Sequence, residues 1–302
     1  MRILFFGNKD RSIKCLEALI EKGHTIVAVV TQKDQPHQFW TGSLAKKAKE
    51  LNLPVCFAED IPTKELADSF QDKNVELIIL CGYNQILKKE ILNLPSRGAI
   101  NLHAGKLPDY RGGSPMNWTI INGEVKGCAT IHYALEKVDA GPILAEEEFP
   151  ITLEDTILDV ENKTLAIFPR LLNDAVDQIE RGVIKPRPQN LNLGTYYCPR
   201  KPLDGRVNWQ MMTAKNVYDF VRALTHPFPG AFCFYEGQKI FIWKAKLLPE
   251  TIKHTPGRVC MRGGKGVVVM AQDRALLIER VQQENEKESA ASEILETGRY
   301  LT

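Results

Sequence analysis

No stretch of the sequence approaches the roughly 18 consecutive apolar residues that a membrane-spanning helix needs. The apolar run after Met1 is too short for a signal-peptide core, and together these absences predict a cytoplasmic protein. The seven cysteines are an odd number, widely spaced, with no C-x-x-C pair and no zinc-ligand spacing. They read as reduced thiols, and no metal centre is expected. An excess of one charge is also missing: 39 Lys and Arg against 37 Asp and Glu leave a net charge of +2. The field of the whole chain therefore gives no reason to attract a polyanion or an anionic membrane, and any such partner must be engaged locally. The turn after the first apolar run, FFGNKDRS, holds the single Gly7 where a dinucleotide fingerprint has three glycines. Without them the backbone cannot approach a pyrophosphate, which argues against NAD. Gly263, Gly264 and Gly266 lack phosphate-loop spacing and read as a hairpin turn.

What is present fits a soluble globular chain, 44% hydrophobic and 25% charged, long enough at 302 residues for two domains. The first half alternates β-rich runs (Ile3 to Phe6, 25–30, 75–80, 98–103) with amphipathic segments around 13–20, 43–52, 63–72 and 86–93. That alternation predicts an α/β fold with a Rossmann-like, doubly wound, mostly parallel sheet. Residues 152–182 fit one or two further helices. Pro186, Pro188, Pro199 and Pro202 then interrupt regular structure, which places a linker at 186–206 between a catalytic domain at 1–185 and a second domain at 207–302. Beyond the linker, short β runs separated by Glu-Gly, Pro-Gly and Gly-Gly-Lys-Gly turns predict a small β-barrel, because closure removes exposed strand edges. The last twenty or so residues, with QENEKES, read as a solvated tail or terminal helix.

Chemistry concentrates in GAINLHAGKLPDYRGGSPMNWTIINGE, residues 98–124. Residues two apart on a strand share a face, so Asn101 and His103 point the same way near the strand's C-terminal end. Open α/β sheets bind ligands at that end. Gly105, Pro108, Gly112, Gly113 and Pro115 follow and permit a tightly folded loop. Later, Asp139 sits in a Val-Asp-Ala-Gly turn from which an acid could reach His103. By position alone a second reading stands beside the catalytic one: Asn101 satisfying backbone, His103 as a core histidine, and Asp139 stabilising its own turn.

The strings NLHAGKLPDYRGGSP, DAGPIL and HPFPGAFCFYEGQKIFIWKA, in this order along nearly the whole chain, resemble the folate-dependent formyltransferase family. That family includes methionyl-tRNA formyltransferases and sugar-nucleotide N-formyltransferases. The resemblance implies 10-formyltetrahydrofolate as formyl donor, no metal, and Asn101, His103 and Asp139 as the catalytic set. In such chemistry an amide N–H and a protonated imidazole stabilise charge building on the formyl oxygen. A histidine titrating near neutrality suits the proton relay, and an ionised Asp139 would raise its pKa. The resemblance also places the cofactor against Gln85, Ile86 and Leu87, Arg111, and the loop Leu135, Glu136, Lys137, Val138 and Asp139. It implies an OB-like barrel for the second domain.

Two acceptors compete. The segment TQKDQPHQFWTGSLAKKAK is short and carries Lys46, Lys47 and Lys49 on an expected helix, not in a loop. It resembles the formyltransferase domain of the polymyxin-resistance enzyme acting on UDP-4-amino-4-deoxy-L-arabinose, including an aromatic-x-Gly-Ser turn, as do PMNWTIINGE and HPFPGAF. The expectation is therefore a nucleotide-linked 4-amino sugar of lipopolysaccharide or lipid A modification, with methionyl-tRNA as the alternative. By the same likeness Arg200 and Lys201 would face a diphosphate; as a surface linker they fit equally well. Ala104-Gly105-Lys106 and Gly113 depart from the arabinose enzyme's pattern and bear on substrate and cofactor contacts. A formyltetrahydrofolate hydrolase is a third class, disfavoured because its relatives carry a different regulatory N-terminal domain and this chain starts at its first strand.

Overall fold

The computed structural model describes residues 1–34, 42–61 and 63–302. The expected aromatic-x-Gly-Ser turn begins at Trp40 and Thr41, which lie outside the described residues.

In the first half, β1 (Arg2–Gly7), α1 (Lys9–Glu21), β2 (Thr25–Thr31), α2 (Leu44–Glu50), β3 (Val55–Phe57) and α3 (Thr63–Phe70) are followed by β4 (Leu77–Cys81), α4 (Lys89–Leu92) and β5 (Ala99–His103). Next come β6 (Arg111–Gly112), α5 (Pro115–Ile121), β7 (Lys126–Tyr133), β8 (Ile143–Pro150), α6 (Ile157–Glu180) and β9 (Tyr196–Tyr197). Seven strands form one sheet in the order β3-β2-β1-β4-β5-β7-β8. The pairs from β3 to β5 are parallel, whereas β5 and β7 run antiparallel. This is the expected doubly wound sheet with an antiparallel extension. β1 and β4 are apolar on both faces because helices cover both, so their residues are almost all buried. On one face Leu4, Phe6, Val30, Ile78 and Leu80 pack with Leu66, Phe70 and Ile91.

Two local expectations shift. The segment 86–93 forms a helix only at Lys89–Leu92, since Leu87 leaves the helical path to enter the core at 6% exposure. The segment 152–182 is one helix, α6, despite Pro169 in its interior.

The second half contains α7 (Ala214–Leu224), β10 (Ala231–Tyr235), β11 (Gln238–Leu247), β12 (Val259–Gly263), β13 (Gly266–Met270), β14 (Ala275–Gln283), β15 (Ser289–Ala290) and α8 (Ala291–Ile294). The main strands run β10-β11-β14-β13-β12, with β15 on β14. The glycine-rich turn at 263–266 joins the antiparallel pair β12 and β13 as a hairpin. The chain end is not a solvated tail, and its helix is confined to the four residues Ala291–Ile294. Leu295 and Leu301 are 1% and 3% exposed, and Leu301 bridges Tyr235 while Tyr300 bridges Arg258. The last residues thus join the free edges of β10 and β12 and close the β-rich domain, removing edges that would otherwise pair with other chains.

The chain divides into two compact units: Met1–Pro115, Gly127–Phe149 and Glu161–Tyr197 form one, and Met116–Lys126, Pro150–Val160 and Cys198–Thr302 the other.

Candidate active site

The site is built at the C-terminal end of β5 in the first unit. The antiparallel register sets Asn101 opposite His132 and His103 opposite Thr130, so these four side chains share one face. Thr130 donates its hydroxyl to the Gly105 carbonyl at 2.8 Å, which folds the loop after β5 back over the strand. His103 is 6% exposed, with its Nε2 on the Tyr110 carbonyl at 2.6 Å. Since a carbonyl only accepts, Nε2 carries a proton and Nδ1 faces Asp139 Oδ2 at 3.5 Å.

Asp139 is the centre of the cluster. Its side chain is 8% exposed and its backbone left-handed (φ 48°), in a turn that aims the carboxylate back at the strand. Oδ2 accepts the Gly112 N–H at 2.8 Å, and Oδ1 lies 3.3 Å from both Asn101 Nδ2 and His132 Nε2. Gly112 itself has φ 94°, and a Cβ there would stand 2.2 Å from the Tyr197 carbonyl, so only glycine lets this donor approach. The Asn101 amide also meets His132 Nε2 at 3.1 Å, and His132 Nδ1 donates to the Tyr133 carbonyl at 2.8 Å.

Burial raises the Asp139 carboxyl, but the charge of His103, the bond and charge of His132 and the Gly112 N–H outweigh it and hold the group down at about 2. Burial lowers His103 below its ordinary 6.5, and the Asp139 charge, which pulls the other way, does not restore it. The expectation of a raised histidine pKa is thus corrected: desolvation of a ring this deeply buried exceeds a carboxylate 3.5 Å away. At neutral pH the cluster is an ionised carboxylate beside a neutral His103, poised to take a proton.

The structure brings Asn101, His103 and Asp139 together and adds His132, which local spacing could not supply. A weak signal existed: Thr130 and His132 alternate as polar residues on one face of the otherwise apolar run CATIHY. The expected cofactor contacts divide. Ile86 and Leu135 are exposed apolar residues, 55% and 50%, on the loops after β4 and β7, and are suited to a flat ring. Gln85, Glu136 and Lys137 are exposed beside them and Val138 is half-buried, whereas Leu87 faces the core.

Arg111 stands differently from expectation. It is 2% exposed, with its guanidinium on the Pro108 and Leu193 carbonyls and the Tyr196 hydroxyl, and lies 4.2 Å from the Tyr196 ring centroid. Its contacts brace the chain. Arg200 and Lys201 belong to the second unit. Arg200 lies over Trp118 and Phe220 and donates to the Asp204 carbonyl, while the Lys201 backbone N–H is held by the Asp204 carboxylate.

The family described as formyl transferase matches residues 1–176, and its C-terminal domain matches residues 200–299. The chain belongs to the formyl transferase family. It is one of the folate-dependent enzymes that transfer a formyl group from 10-formyltetrahydrofolate. It is 33% identical over 300 residues to the methionyl-tRNA formyltransferase of Alkaliphilus oremlandii, covering 98% of this chain and 96% of that one. The methionyl-tRNA formyltransferase of Thermodesulfovibrio yellowstonii is 33% identical over 303 residues, with 99% and 96% coverage. Among solved structures, the sugar 3N-formyltransferase WlaRD, with dTDP and 5-N-formyl-THF, superposes with a TM-score of 0.71 at 20% identity, covering 95% of this chain and 99% of that one.

These relatives overturn the nucleotide-sugar expectation. Likeness to sugar enzymes at 20% identity carries the fold alone, while curated relatives at 33% over nearly the full length are methionyl-tRNA formyltransferases. The short motifs read as sugar-specific therefore did not discriminate the acceptor.

Proposed function

We propose that this formyltransferase delivers the formyl group to the amine of methionyl-tRNA, with Asn101, His103 and Asp139 as its catalytic residues. The acceptor rests on one observation: identity of 33% to methionyl-tRNA formyltransferases across 98% of the chain. The roles rest on the cluster's geometry. When the amine attacks, a nitrogen–carbon bond forms, charge passes to the formyl oxygen, and the bond to the folate nitrogen then breaks. Asn101 offers an amide N–H to that oxygen by exchanging one of its contacts to Asp139 or His132. One such donor contributes on the order of 100 to 1000-fold in rate. His103, neutral beforehand, takes the proton leaving the amine, and the Asp139 carboxylate stabilises the imidazolium. The same proton then goes to the departing folate nitrogen.

Ile86 and Leu135 supply apolar surface for the donor's ring system, with Gln85, Glu136, Lys137 and Val138 bordering it. With a net charge of only +2, tRNA must be held by local basic groups. All seven cysteines are free, which supports a cytoplasmic location, and no helix among the described residues is long and apolar enough to cross a membrane. Incubation with 10-formyltetrahydrofolate and methionyl-tRNA, followed by detection of the formylated product, tests the reading. Absence of product with active donor and charged tRNA overturns it.

A further inference from the structure

The segment between α6 and β9 does more than connect. Arg187 pairs with Ile143 in an antiparallel bridge, and β9 pairs in parallel with β6. Between these two anchors the Gln189 side-chain amide donates to the Asp139 carbonyl at 2.9 Å and the Gly141 carbonyl at 2.7 Å. The Tyr196 hydroxyl donates to the Val138 carbonyl at 3.2 Å. The three carbonyls around the left-handed Asp139 turn are thus held from one side by a single stretch of chain. The same stretch reaches the His103 side, because Tyr197 stacks on Tyr110 at 5.3 Å and the Tyr110 carbonyl holds the His103 ring. Gly194 (φ 79°) lets the strap run close to the loop after β5, since a Cβ there would lie 2.1 Å from the Pro108 carbonyl.

The amide orientation of Gln189 is chemically determined. Two carbonyl oxygens can only accept, so the NH2 group must face them, and a flipped amide would set three acceptors against one another. Its Oε1 is left buried with no hydrogen-bond partner among the described residues. A buried orphan acceptor costs stability. Its retention points to the value of the two bonds made on the other side, at the one residue of the cluster whose backbone is left-handed.

We propose that Gln189 is a positioning residue for formyl transfer: its amide fixes the Asp139 turn and so sets the carboxylate against His103, Asn101 and His132. This rests on the catalytic reading of those residues given above. Loosening the turn moves the carboxylate from His103, whose other charged neighbours are His132 and, at longer range, Arg11. Asp139 alone among these pulls the His103 pKa upward, so its withdrawal lowers that pKa further.

The test uses the full chain with Gln189→Met, which keeps length and removes the donors, and Gln189→Glu, which turns an acceptor toward the carbonyls. We expect kcat to fall about tenfold or more in both, the usual scale of sub-ångström to ångström misplacement, while KM for the folate donor and the thermal midpoint stay near the parent values. In the ligand-free protein, NMR titration of the His103 ring should show a lower pKa in Gln189→Met, the variant that adds no charge. Parent kcat with a parent His103 titration overturns the proposal, as does a loss of activity that tracks only a lowered thermal midpoint. The titration needs no turnover, so it also separates this claim from the catalytic reading. If His103→Ala and Asp139→Asn retain full activity, that reading fails whatever Gln189 does.

Discussion

Each unit of the molecule buries a cluster built around one carboxylate, and the two are built on different terms. In the second unit Asp219, 1% exposed, meets Lys215 at 2.5 Å and Arg222 at 2.9 Å on the regular helix α7. Arg222 Nη1 donates to the Thr152 and Asp155 carbonyls, and Asn117 holds the Ala223 carbonyl at 2.8 Å. That cluster is a pair of ion pairs at helical spacing. In the first unit one carboxylate faces two imidazoles, those of His103 and His132, and it is delivered by a left-handed turn instead of a helix. The difference teaches that burial of charge does not by itself mark chemistry. A neutral His103 beside the Asp139 carboxylate at the end of a parallel sheet is the better marker.

The comparison is broken most forcefully by removing each carboxylate. Asp139→Asn and His103→Ala should each lower kcat/KM by about 100 to 10,000-fold with circular dichroism unchanged, because each removes a group to which the proposed mechanism gives a part in the transition state. Asp219→Ala should do the reverse. It leaves Arg222 uncompensated in the interior and should cost about 3–5 kcal/mol in denaturant unfolding, while the folded fraction turns over normally. Should Asp219→Ala abolish turnover in folded protein, the division between a structural and a chemical cluster is lost.

Smaller changes sharpen it. His132→Ala should lower kcat about tenfold, since it removes a contact of both Asn101 and Asp139 but no group assigned to the proton path. A loss equal to that of His103→Ala would make His132 the proton carrier instead. The pH profile gives a finer reading. Because burial depresses His103, the acid limb of kcat/KM should have an apparent pKa below 6.5, and activity should hold as pH falls to that value. The sign for stability follows: protonation favours the unfolded chain, so the contribution of a neutral His103 is lost as pH drops below 6.5. An acid limb above 6.5 would show the carboxylate prevailing over desolvation.

Much of this was legible in the residues. Hydrophobic runs located β1, β2, β4 and β5, and strand alternation put Asn101 and His103 on one face. His132 was not, because its nearness to Asn101 is a register between strands far apart in sequence, which periodicity cannot express. The prolines of 186–206 signalled broken helix and strand, but not that Gln189, Tyr196 and Tyr197 in that stretch would return to brace Asp139 and Tyr110. The chain end misled for a related reason: QENEKES is polar, and the isolated Leu295 and Leu301 reveal their role only when the barrel they close is present. Short motifs near the site did not discriminate the acceptor; identity over nearly the full chain is what points away from the sugar.

The most direct test is formylation of methionyl-tRNA by the purified protein with 10-formyltetrahydrofolate, run beside His103→Ala under identical conditions. Formylmethionyl-tRNA is expected from the parent, with a rate reduced at least about 100-fold in the variant. Product formed equally fast by His103→Ala, or none formed by the parent, would contradict this expectation.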